Sequence, residues 1–212
     1  MKITKLGHCC LLLEFKDVRI LTDPGMYTVE EHSKLKKIDY IFITHEHSDH
    51  YHLDSLRVII EKNPEVLIYT NTSVSEILTR EGIYHHLIKD GGEVLIDDGR
   101  IMVKGVGNKH AIMHKSIPAS ENTGFLFDEK FFLPGDAFTN PGQPIDILAL
   151  PVSGPWMKMS EAIDYALEVK PRVCFPIHDA VRFGTAHRLP SVILPENGIE
   201  FVVMEEGDKH EF

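Results

Sequence analysis

Residues 42–50 read FITHEHSDH. An apolar run ends, and His45, His47, Asp49 and His50 then arrive within six positions. His45, His47 and Asp49 are spaced two apart, so an extended chain aims them to one side, and His50 follows directly. Imidazoles and a carboxylate in such a loop are donors suited to zinc, iron or manganese. A loop at the end of a rigid strand can offer two pairs of ligands to two neighbouring ions. The pattern is not the HExxH of a helical zinc site, because Asp49 and not a second histidine stands four residues after His45. A polar surface turn rich in histidine is the bland alternative, and it does not explain the order of types. His52, just beyond, reads as a surface or capping residue at a helix start.

Regular elements must hold this loop. CCLLLEF and VRILTDP flank Lys16-Asp17, which predicts a hairpin. IDYIFIT (38–44) is rich in β-branched and aromatic residues and reads as a buried strand. LDSLRVIIEKN places Leu53, Leu56, Ile59 and Ile60 at helical spacing, Pro64 follows, and EVLIYTN is the next strand. Ser73 with Glu76 fits a capping box, and Gly82 a stop. The second half repeats the plan. TGFLF and FFLPGD make a hairpin about Asp128-Glu129-Lys130, IDILALPV echoes IDYIFITH, SEAIDYALEV is an amphipathic helix, and KPRVCFPIH aligns with NPEVLIYTN. Under this register His178 matches Asn71, and Asp136 falls where Asp23 falls, give or take one residue. Two copies of hairpin–strand–helix–strand imply an α+β four-layer αββα sandwich, with strand-end side chains from both halves along one edge. No Pro/Ser-rich linker or long charge run divides residues 1–212, so one domain is expected.

Composition narrows the partners. Lys plus Arg number 22 against 32 Asp plus Glu, a formal charge of -10. That balance disfavours nucleic acid, which needs a basic face, yet permits a small anionic substrate held by a few local cations. Cys9 and Cys10 are adjacent and point to opposite faces of a strand, Cys174 stands alone, and no CxxC occurs. Buried thiols in a reducing compartment follow. MKITKLGHCCLLLEF does not read as a convincing signal peptide, because its apolar run is short and lies between His8 and Glu14. No segment approaches the roughly 20 apolar residues of a membrane span. A cytoplasmic protein without membrane contact is expected, of unassigned oligomeric state.

These motifs carry a family resemblance. THEHSDH resembles the metal signature Thr-His-X-His-X-Asp-His of the metallo-β-lactamase-fold hydrolases. KITKLGHCCLLLEF and ILTDPG resemble the opening of a branch that holds ascorbate-6-phosphate lactonase-like and related metal-dependent hydrolases. FLPGDAF is similar to the family's Gly-Asp motif, and FPIHD to its closing histidine motif. The likeness spans essentially the whole chain. It implies the metallo-β-lactamase fold and two divalent ions, zinc first, with manganese or iron as alternatives. It puts His45 and His47 on the first metal, Asp49 and His50 on the second, Asp136 between both, and His178 on the second. The remaining ligand of the first metal should come from GNKHAIMHK, where His110 is favoured over His114 because it closely follows the strand IMVKGVG.

The implied chemistry is hydrolysis by a metal-bridged hydroxide on a small ester, lactone or phosphoester, with Asp49 ligating and orienting that hydroxide. Di-iron redox members of the fold carry an acid where His47 stands, which favours a hydrolase here. A phosphodiesterase or nuclease of the same fold and a non-catalytic metal-binding or sensing module are the alternatives. Asp23 is expected to orient a ligating histidine, or else to be a turn residue before proline. His8 reads as a packed or hydrogen-bonded histidine. Trp156, Met157 and Met159 in GPWMKM form either an apolar wall for substrate or core ahead of a helix. Arg182, His187 and Arg188 either grip a phosphate or carboxylate or belong to a solvated loop.

Overall fold

A computed structural model describes residues 1–180 and 187–212. Two compact units divide the chain, Met1–Lys89 with Glu205–Phe212 and Asp90–Met204. In the first, β1 (Lys2–Gly7), β2 (Cys10–Phe15) and β3 (Val18–Thr22) form an antiparallel meander. The tight turn lies at Lys16-Asp17, as expected, with Phe15 opposite Val18. After the single helical turn α1 (Val29–His32), the pairing changes from antiparallel to parallel. β4 (Tyr40–Ile43), β5 (Leu67–Thr70) and β6 (His86–Leu87) add on in parallel, each preceded by a helical crossover. The crossovers are α2 (Leu53–Lys62) and α3 (Thr72–Arg80) between β4 and β6.

The second unit runs the same course. β7 (Glu93–Ile96), β8 (Ile101–Val106), β9 (Gly124–Phe127) and β10 (Phe131–Leu133) are antiparallel. β11 (Ile147–Pro151), β12 (Val173–Ile177) and β13 (Glu200–Phe201) then join in parallel, with α4 (Met159–Val169) and α5 (Arg188–Glu196) as crossovers. β14 (Lys209–Glu211) returns to pair with β1 in the first unit. The sheet orders β14-β1-β2-β3-β4-β5-β6 and β7-β8-β9-β10-β11-β12-β13 therefore match strand for strand. The repeat expected from the sequence is present in topology.

Each sheet is packed by its own helices. Leu56 and Ile59 of α2 and Val74 and Leu78 of α3 are fully buried with Ile41, Ile43 and Ile68 of the sheet. In the second unit Ala162, Ile163, Ala166 and Leu194 pack on Leu148, Leu150 and Cys174. Truncating one such leucine to alanine costs about 2–5 kcal/mol, so these layers hold the strand ends rigidly. The central strands are buried on both faces, which explains their near-continuous apolar sequences.

One helix start departs from expectation. The α3 cap is Asn71, whose side chain accepts the Val74 N–H at 3.1 Å. Ser73 lies inside the helix and its hydroxyl turns instead to the Glu46 carboxylate. An asparagine at the strand end is better placed for the cap than a serine two residues later, because only the residue before the first turn has extended backbone. No described helix is long and apolar enough to cross a membrane.

Candidate metal centre

The histidine loop begins where β4 ends, and Asp23 organises its root. Asp23 directly follows β3 and is fully buried, with a left-handed backbone at φ 41°. Its Oδ1 accepts the Thr44 N–H at 2.8 Å. Its Oδ2 accepts the Thr44 hydroxyl and the His50 Nδ1–H, each at 2.9 Å. A carboxylate on Nδ1 fixes the tautomer and points Nε2 away, the arrangement typical of a metal-ligating histidine. Asp23 thus orients the His50 ring, and it does so from a left-handed turn directly before Pro24. Thr44 Oγ1 also accepts from His45 Nδ1 at 3.0 Å, which fixes that ring as well.

The loop itself is stitched to the LTDPG stretch. Met26 N–H donates to Ser48 O at 2.8 Å, and His52 N–H to Pro24 O at 3.2 Å. At Gly25 a Cβ would stand 1.8 Å from the Asp49 carbonyl oxygen, so only glycine allows this approach. His45 Nε2 and His47 Nδ1 are 3.1 Å apart. His8, Asp49 and His50 each present a ligand atom within 4.8 Å of the others. His8 is buried, holds φ 49°, and its Nε2 meets Asp49 Oδ2 at 3.1 Å. It is a hydrogen-bonded histidine, as expected, and its ring also offers a ligand atom to this group. His52 sits at the N-cap of α2 with Nδ1 on the Ser55 hydroxyl at 2.6 Å.

The second unit gathers its own set. Asp136, in the loop after β10, is 2% exposed. Its N–H donates to Asn122 Oδ1 at 2.9 Å, and its carbonyl accepts from Ala111 N–H at 2.8 Å. Its Oδ2 lies 3.3 Å from His110 Nε2 and 2.9 Å from His178 Nε2. The same oxygen accepts the Trp156 indole N–H at 3.0 Å. His110 Nδ1 donates to the Ala111 carbonyl at 2.5 Å, so this ring too is fixed with Nε2 toward the carboxylate. His178 immediately follows β12 at φ 56°. Left-handed backbone at Asp23, His8 and His178 is uncommon for such residues.

Between the two histidines of GNKHAIMHK, the structure brings His110 to Asp136 and leaves His114 exposed, bonded to Ser116. Met157 and Met159 are partly buried and pack against the core cluster of the second unit. Trp156 is neither wall nor ordinary core, since its N–H is committed to Asp136. Arg182 lies outside the described residues. His187 is buried on Asp179 at 3.2 Å, and Arg188 is exposed at the start of α5. No cysteine forms a disulfide. Burial pushes the Cys10 thiol far up and the Cys174 thiol up to about 12, so neither is a nucleophile near neutral pH.

The sequence reading missed Gly25, Asn122 and the Trp156–Asp136 bond. Gly25 follows Pro24, an ordinary turn signal, and nothing local marks its approach to Asp49. Asn122 and Trp156 lie 14 and 20 residues from Asp136.

Do these residues suit metal ions? Two nitrogens each about 2.0–2.1 Å from a tetrahedral zinc stand about 3.4 Å apart. The donor separations of 3.1, 3.3 and 2.9 Å are close to that edge length. All the donors are imidazole nitrogen or carboxylate oxygen, and His45, His50, His110, Asp136 and His178 are buried. The donor set fits a borderline divalent cation.

Comparison with known proteins agrees with this chemistry. A family model described as "Beta-lactamase superfamily domain" matches residues 2–178. Protein Rv0786c of Mycobacterium tuberculosis is 36% identical over 186 residues, covering 85% of each chain. The UPF0173 metal-dependent hydrolase Ta0764 of Thermoplasma acidophilum is 31% identical over 193 residues, covering 84% of this chain and 83% of that one. The solved structure of Igni18, a metallo hydrolase of Ignicoccus hospitalis, shares the fold with a TM-score of 0.78 at 24% identity, over 100% of this chain and 98% of that one. With its fold, its histidine–aspartate sets and these relatives in agreement, the chain belongs to the metal-dependent hydrolases of the metallo-β-lactamase superfamily.

Proposed function

We propose that the chain hydrolyses a small ester, lactone or phosphoester with two divalent cations, zinc or, in its place, manganese or iron. His45, His47 and His110 would hold the first cation, Asp49, His50 and His178 the second, and Asp136 both. The observation that carries this reading is the single oxygen of Asp136 set 3.3 Å from His110 Nε2 and 2.9 Å from His178 Nε2. One carboxylate oxygen between two histidines assigned to different ions is what a bridging ligand requires. Bound there, the cations would supply an acidified water as nucleophile and an electrophile for the substrate's carbonyl or phosphoryl oxygen.

The chain's own residues do the positioning. Asp23 and the Ala111 carbonyl hold His50 and His110 by their Nδ1 atoms, which leaves Nε2 of each ring directed toward a cation. Asp49, steadied by His8, orients the attacking water by accepting one of its protons in a hydrogen bond. The small-substrate reading is favoured over a polynucleotide by the formal charge of -10.

The test is a hydrolysis panel on protein stripped of metal and then reloaded with zinc or manganese. Turnover of carboxyl esters and lactones that vanishes on stripping and returns on reloading is expected. Bis(p-nitrophenyl) phosphate cleaved far faster than any ester would transfer the assignment to a phosphodiesterase. Fully loaded protein inert to the whole panel would favour a metal-binding module without turnover.

A further inference from the structure

Trp156 is the one tryptophan in the chain, and it sits against the carboxylate on which the proposed centre depends. It is 8% exposed and its indole N–H donates to Asp136 Oδ2 at 3.0 Å. The ring stands edge-on to both neighbouring imidazoles, with centroids 5.9 Å from His110 and 5.8 Å from His178. It is braced from behind by Phe138 at 5.2 Å, and Phe138 by Tyr165 at 5.1 Å, whose hydroxyl is fixed on the Thr139 carbonyl. Room for the indole is specifically kept. A Cβ at Gly154 would stand 2.7 Å from the indole nitrogen.

We infer that Trp156 is a positioning residue for Asp136: its N–H fixes the rotation of the carboxylate, and with it the metal affinity of the centre. The physical reason is geometric. The Asp136 backbone is held by Asn122 and Ala111, but those bonds leave the carboxylate free to turn about its own side-chain torsions. A rigid aromatic donor removes that freedom and keeps Oδ2 facing His110 and His178. An indole does this without adding a positive charge that would compete with the cation for the carboxylate, as lysine or arginine would. Removing a group that orients a ligand typically costs 10–100-fold in metal affinity.

This inference rests on the metal assignment above, and the experiment separates the two. With nitrogen-15 tryptophan the full chain gives a single indole N–H resonance, followed while zinc is added to metal-free protein and bound metal is measured in parallel. Displacement of that resonance in step with zinc uptake is expected. Trp156→Phe should bind zinc roughly 10–100-fold more weakly. Incorporation of 3-benzothienylalanine, which keeps the bicyclic ring and lacks the N–H, should weaken binding in the same range, and it decides the matter if the phenylalanine variant misfolds. A resonance that stays in place while the protein fills with zinc, or an isostere that binds within twofold of wild type, would overturn the role of Trp156 and leave the metal assignment standing. Failure of wild-type protein to bind zinc would overturn both.

Discussion

The two units share one strand order but use equivalent positions differently. Asp23 after β3 and Asp136 after β10 are the paired acids of the repeat. Asp23 is saturated by Thr44 and His50, whereas Asp136 turns one oxygen to two histidines and an indole. Asn71 after β5 and His178 after β12 are the second pair. Asn71 caps α3 and donates to the Thr44 carbonyl, and His178 faces Asp136. The loop after β4 carries four candidate ligands, whereas the loop after β11 carries Gly154, which makes room for Trp156. One scaffold has thus been read twice, with the candidate ligands weighted to the β4 loop in one unit and to the β10 and β12 ends in the other. Equivalent position in a repeat therefore predicts where chemistry can sit, and the contacts decide which copy does it.

The sharpest break in that comparison is removal of each acid in turn. Asp136→Ala should lower hydrolysis roughly a thousandfold or more, since a cation at the reacting centre contributes several kcal/mol. Bound metal should fall with it while circular dichroism stays native. Wild-type metal content in that variant would end the bridging assignment. Asp23→Asn keeps the shape but weakens the hold on His50, so metal affinity should fall about 10–100-fold without loss of the fold. An Asp23 variant as severe as the Asp136 variant would mean that the two acids are not specialised as described.

Within the first unit, His32 offers a smaller effect. It is fully buried, its Nδ1 lies 3.1 Å from the Thr28 hydroxyl, and its Nε2 has no hydrogen-bond partner among the described residues. Burial, with a smaller contribution from His52, lowers its pKa from 6.5 to about 4. The unfolded chain therefore binds the proton more readily between these values. Stability should be complete above pH 6.5 and fall as pH drops toward 4, by on the order of a few kcal/mol. Chemical denaturation across that range, in wild type and His32→Leu, measures it. Equal slopes in the two proteins would remove His32 from the account.

Much of this architecture was legible in the sequence, because hairpins, buried strands and amphipathic helices are written in local patterns. The histidine loop was legible for the same reason, since four of its donors are consecutive or nearly so. Asp23 could be anticipated only through the repeat. Other features depend on contacts that no local pattern encodes. Gly25 looks like any turn glycine until Asp49 is placed against it. Asn71 displaced Ser73 as the cap because backbone conformation, and not residue type, decided between them. Trp156 had two plausible readings and took a third, reaching Asp136 across 20 residues of sequence.

The measurement that tests the central claim most directly is metal per chain, by mass spectrometry, on wild-type protein purified without chelator or a polyhistidine tag. About two equivalents of zinc, manganese or iron are predicted, since Asp136 is assigned to two ions and five histidines are assigned with it to hold them. One equivalent or none, persisting after metal is added back, would contradict it.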